Sequence, residues 1–130
     1  MTKPLLFPLA LIAMAVTALT PPTPLLPKDD PEQESCIAPN PEEGIKFTWE
    51  PLEEGSVSFI EILRFNEEGG QWANWVKKYS HSPFTLNARN PRVFDAAFAW
   101  RIWSVDPSGQ SHPYASAGPW HLFCTLPAGH

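Results

Sequence analysis

Apolar and polar positions alternate cleanly in one stretch of the chain, and a second, mostly apolar stretch is the strongest strand signal. In residues 45–49, Ile45, Phe47 and Trp49 alternate with Lys46 and Thr48 before Glu50-Pro51, the period-two pattern of a half-buried strand. In residues 96–105, Phe98, Trp100, Ile102 and Ser104 fall on one face and Ala99, Arg101, Trp103 and Val105 on the other. Asp106-Pro107-Ser108-Gly109 then closes that strand with the residues a type I turn favours. Residues 56–65 carry Val57, Phe59, Ile60, Ile62, Leu63 and Phe65 almost without a break, which predicts a strand and leaves its facing open. A brief strand is predicted over 84–86, before the Asn90-Pro91 turn, and a last one over 118–125, containing Trp120, Leu122, Phe123 and Cys124. Residues 71–79 are ambiguous. Trp72, Trp75, Val76 and Tyr79 stand at i, i+3, i+4 and i+7, which suits a short helical turn, while the surroundings suit an irregular edge strand.

Turn signals at short intervals between β-rich runs predict an all-β sandwich or barrel. The 16 prolines against 7 glycines reinforce this, because proline breaks helix interiors and central strands into short segments. With 43% hydrophobic and only 18% charged residues, the chain has the apolar content to form a core rather than stay disordered. Residues 1–20 read as a signal peptide. Lys3 supplies the positive start, the run from Leu5 to Leu19 is apolar and uncharged, and Ala13, Ala15, Val16 and Ala18 offer small-x-small cleavage sites. Prolines 4, 8, 21, 22 and 24 interrupt the stretch, so no membrane span is expected after cleavage. Residues 21–35 are expected to be a Pro-rich linker with no packing requirement, residues 36–126 the domain, and residues 127–130 a short tail. Export places Cys36 and Cys124 where disulfides persist, and predicts a bridge between them. The expected location is the periplasm or the extracellular space.

The formal net charge of −5, with no basic run, excludes the electrostatic footprint of a nucleic-acid binder. No hydrolase elbow, phosphate loop, metalloprotease helix or dinucleotide fingerprint occurs, and the scattered His81, His112, His121 and His130 do not have metal-ligand spacing. The sequence therefore reads as non-catalytic, with no cofactor. Acidic residues crowd 29–68 and basic ones 77–101. Pairing such charges across neighbouring strands, for example Glu61 with Arg101, is the structural use expected of them.

With these strands placed, the chain resembles a fibronectin type III domain, an immunoglobulin-like fold, of bacterial envelope and secreted proteins. The resemblance covers residues 39–125. It is carried by Phe47-Thr48-Trp49-Glu50-Pro51, similar to the family's second strand with its core tryptophan, and by residues 59–63 at the third. Residues 98–109, FAWRIWSVDPSG, resemble the family's aromatic-x-Trp-Arg-Val-x-Ala-x-Asp-x-x-Gly pattern. The resemblance implies a two-sheet sandwich of about seven strands. In it, a Cys36–Cys124 bridge would join the first and last strands, which is not a usual family feature. Phe98 stands where the family usually has tyrosine, so the hydroxyl of a tyrosine corner is missing.

Six tryptophans are the most informative excess. Alternation together with the resemblance assigns Trp49 and Trp100 to the core. Trp103, on the other face of its strand, and Trp72, Trp75, Tyr79 and Trp120 exceed what a thin two-layer core hides, and large rigid aromatics on a surface mark a binding face. The competing reading folds Trp72 and Trp75 back as an edge segment over Trp103. The function expected is a protein-interaction module of the envelope or extracellular space. The alternatives are a carbohydrate-binding module stacking glycans on the same tryptophans and a small secreted enzyme inhibitor.

Overall fold

In a computed structural model of the chain, the described residues are 21–51, 54–105 and 114–129, with 114–116 described by backbone alone. Residues 1–20, expected to be a signal peptide, Glu53, residues 106–109, expected to form a turn, His112 and His130 lie outside them. Among the described residues eight strands follow in order: β1 Thr23–Leu26, β2 Ile45–Glu50, β3 Ser58–Asn66, β4 Gln71–Ser80, β5 Phe84–Leu86, β6 Ala97–Val105, β7 Tyr114–Ala117 and β8 His121–Cys124. A 3₁₀ turn, Pro91–Val93, precedes β6, with the side chain of Asn90 accepting from the Arg92 amide. The architecture is all-β. One sheet has the order β1-β2-β5; the other has β4-β3-β6, with β7 and β8 sharing the far edge of β6. All strand pairs are antiparallel.

The core lies between the two sheets. The β2 side chains Ile45, Phe47 and Trp49 point down onto Ile60 and Ile62 of β3, Phe98, Trp100 and Ile102 of β6, and Phe123 of β8. Phe47 meets Trp100 and Phe123 edge-on, at centroid distances of 5.2 and 5.7 Å, a favoured aromatic geometry. The indole N–H of Trp49 donates to Ser58 Oγ at 3.1 Å, so neither of these buried polar groups is orphaned. At the bottom of the core, Thr125 Oγ1 donates to the Val93 carbonyl at 2.7 Å and accepts from the Ala96 amide, tying the 3₁₀ turn to the last strand. Gly44 is needed where it stands. It lies at φ +81°, closing an Asn40–Gly44 turn, and a Cβ there would strike the Leu86 carbonyl.

The segment expected to be a linker is instead the start of the fold. β1 pairs with β2 from Thr23 to Leu26, and Pro22 and Pro27 are buried. The chain then crosses to the other sheet. The Pro27 carbonyl accepts the indole N–H of the fully buried Trp100 at 3.2 Å, and Asp29 and Asp30 bond the backbone of Leu122. Prolines are tolerated here because β1 is an edge strand, where a missing amide hydrogen on the open side costs no ladder bond. The expected bridge between Cys36 and Cys124 is present, with the Cα atoms 4.7 Å apart. Cys36 is not in a strand, however. It precedes Ile37, which runs parallel to the end of β8 through bonds to Cys124 and Leu126.

Candidate functional site

Because side chains alternate across a strand, the core contacts of one face define the other face of the β4-β3-β6 sheet as outward. Cross-strand register orders that face into rows. Tyr79, Phe59 and Trp103 form one row; Lys77, Glu61 and Arg101 the next; Asn74, Leu63, Ala99 and Leu122 a third; Trp72 and Phe65 a fourth. Trp120 follows the Gly118-Pro119 break between β7 and β8 and lies beside Arg101.

Four of the five aromatic residues expected at a binding face, Trp72, Tyr79, Trp103 and Trp120, are thus gathered on one side of one sheet. Trp75 is not. The β3–β4 register shifts between Ile62 and Leu63, leaving Trp75 as the extra residue of a β-bulge, and its ring stacks on core Phe98 at 5.4 Å. The bulge also explains the misleading spacing in this segment. Trp72 and Tyr79 are an odd number of residues apart and would face opposite ways on a regular strand; the extra residue returns Tyr79 to the outward side. Residues 71–80 are a strand, which settles the helix-or-strand ambiguity. Among the described residues Trp72 and Tyr79 are the most exposed aromatics, at 42% and 45%. Trp72 packs edge-on against Phe65 at 5.2 Å rather than over Trp103, so the fold-back arrangement is not formed.

The charged row crosses this aromatic face and is ordered by it. Glu61, only 6% exposed, accepts from Arg101 Nε at 2.7 Å and from the Trp103 indole at 2.9 Å, and Lys77 Nζ is 3.7 Å away. This is the Glu61–Arg101 pair expected from the charge pattern. Burial opposes ionisation of Glu61, but the hydrogen bonds from Trp103 and Arg101 and the charges of Arg101 and Lys77 outweigh it and hold the carboxyl below its ordinary pKa. The Arg101 guanidinium lies 4.6 Å from the Trp103 ring centroid and 4.0 Å from that of Trp120, a cation held between two π faces. Neither Arg101 nor Glu61 was singled out as a site residue from the sequence. The aromatic count drew attention to the tryptophans alone, whereas the register reveals the charges that orient them.

Beside this row, Trp72, Leu63, Ala99, Trp120 and Leu122, together with Asp29 and Pro31, line a groove of about 360 Å³. A second cleft of about 540 Å³ opens at the sandwich edge, over Leu26, Ile37, Ile45 and Phe123. Among the described residues there is no group of three His, Cys, Asp or Glu side chains that could hold a metal ion. Nor is any helix among them long and apolar enough to cross a membrane. Compared with protein-family models, curated proteins and solved structures, the chain matches none of them.

Proposed function

We propose that the chain is an exported, non-catalytic module of fibronectin type III type that binds another protein of the envelope or extracellular space through the outward face of its β4-β3-β6 sheet. Two antiparallel sheets, ordered β1-β2-β5 and β4-β3-β6-β7, support the fold reading. The apolar start of the sequence and the Cys36–Cys124 bridge support export.

One observation carries the functional reading: Trp72, Tyr79, Trp103 and Trp120 share a single face with an arginine fixed between two of them. Trp, Tyr and Arg are the side chains that dominate protein-interface energetics, and pre-ordered ones lose less entropy on binding. A protein partner suits this face better than a glycan. Arg101 covers one face of Trp103 and one of Trp120, and the Trp103 indole N–H is committed to Glu61, so less open ring is left for a sugar to stack on.

The test is capture from envelope and culture-medium fractions of the source organism. Wild-type protein recovers a discrete partner, and a Trp72→Ala/Trp120→Ala variant with an unchanged near-ultraviolet CD spectrum weakens recovery by about 30-fold or more, the size of a two-kcal/mol hot spot. A Lys46→Ala/Thr85→Ala control on the other sheet recovers the partner fully. Equal recovery by both variants contradicts the proposal. Recovery of no protein, with glycan binding lost in Trp72→Ala, would move the face to the carbohydrate reading.

A further inference from the structure

We propose that Arg101 is an anion subsite within this face and that the partner places an acidic side chain on it. This rests on the protein-binding reading above and names the chemistry of the partner.

Arg101 spends only part of its hydrogen-bonding capacity inside the protein. Its Nε donates to Glu61. Among the described residues its two terminal nitrogens have no hydrogen-bond partner, which leaves four N–H donors in the planar fork that matches a carboxylate. The group is neither loose nor hidden. Its side chain keeps 23% of its exposure, while Trp103 and Trp120 hold the plane from its flanks and Glu61 anchors the stem end. A guanidinium so held has little rotamer freedom left to lose when it binds.

The balance of charge favours an anion. Lys77 and Arg101 flank Glu61, so this row carries one more positive charge than negative, inside a chain whose net charge is −5. Asp29 also lines the neighbouring groove, but its carboxylate already accepts from the Leu122 amide at 2.8 Å. The apolar rows on either side, Tyr79-Phe59-Trp103 and Leu63-Ala99-Leu122, exclude water from the approach and strengthen a charged contact at its centre.

The probe is blocked tetraglutamate, with blocked tetraglutamine as its uncharged control, titrated into the intact protein and followed by ¹H–¹⁵N NMR of arginine Nε–H and indole N–H groups. Tetraglutamate shifts the Arg101, Trp103 and Trp120 resonances and tetraglutamine does not. The shifts weaken as salt rises from about 0.02 to about 0.2 M, as expected of partly exposed charge. Glu61→Gln keeps an acceptor for Arg101 and Trp103 while removing the nearest like charge, and tightens tetraglutamate binding about five-fold. Arg101→Gln abolishes it. No shift at these groups, equal shifts with tetraglutamine, or tetraglutamate binding undiminished in Arg101→Gln overturns the subsite. Its failure is distinguishable from failure of the protein-binding reading. A partner still lost in Trp72→Ala/Trp120→Ala but captured equally by Arg101→Gln and at high salt removes only the acidic anchor; a clean tetraglutamate titration with capture indifferent to the tryptophans removes only the protein-binding face.

Discussion

Removing the disulfide in a Cys36→Ser/Cys124→Ala variant is expected to lower unfolding stability by about 4.6 kcal/mol, which is the chain-entropy value for a closed loop of this size. The two cysteines are 88 residues apart, so the bridge restricts nearly the whole domain in its unfolded state. Alanine is chosen at position 124 because that residue is 4% exposed in the last strand, where a serine hydroxyl would add a desolvation cost unrelated to the bridge. The backbone bonds from Ile37 to Cys124 and from Leu126 to Ile37 remain available in the variant, so the fold is retained while its margin shrinks. For a domain of ordinary stability, about 5–15 kcal/mol, that is a large fraction. Urea unfolding of the oxidised wild type and the variant measures it. A difference under about 1 kcal/mol would mean that the unfolded chain is already compact around these positions.

The second large effect is expected at Trp100. Trp100→Leu should cost about 3–5 kcal/mol, the range for a large aromatic truncated in a core, with a further contribution from a carbonyl left without its donor. The indole is fully buried, edge-on to Phe47 at 5.2 Å and to His121 at 5.8 Å, and it donates to Pro27 across the sandwich. Loss of that bond should also loosen the start of the chain. Hydrogen exchange at Leu25, Leu26 and Asp30 is expected to rise more than exchange at the centre of β3. A uniform rise throughout the domain would show that the bond to Pro27 does not specifically hold β1, and a thermal shift of only a few degrees would contradict the stability claim.

How much of this was legible in the sequence depended on whether one face of a segment was buried and the other was not. β2 read correctly, residue by residue, because its apolar set alternates against Lys46 and Thr48, whereas both faces of β6 are largely apolar and its inward set was read with the help of the resemblance. β3 could be recognised but not oriented. Its outward side carries Phe59, Leu63 and Phe65 under the aromatic rows of the site, so both faces are apolar. β1 was hidden by its prolines, which look like a linker's and are permitted by an edge position that only the pairing with β2 discloses. The last expected strand, 118–125, is in fact only the second part of a return that Gly118 interrupts after β7. At the site, the aromatic excess pointed to Trp72, Tyr79, Trp103 and Trp120, which lie on one face of the sheet. Trp75 was misassigned because a one-residue bulge reverses facing, and bulges leave no mark in a hydrophobic pattern.

The central claim is that the outward face of the β4-β3-β6 sheet is the surface a partner covers. Hydroxyl-radical labelling of the aromatic side chains, compared between the free protein and its captured complex, tests it most directly. Trp72 and Tyr79, exposed in the free protein, should lose most of their reactivity in the complex, while the core residues Trp49 and Trp100 should react weakly in both states. Unchanged labelling of Trp72 and Tyr79 in the complex, with protection appearing instead at Leu25 and Leu26 on the opposite sheet, would contradict the account.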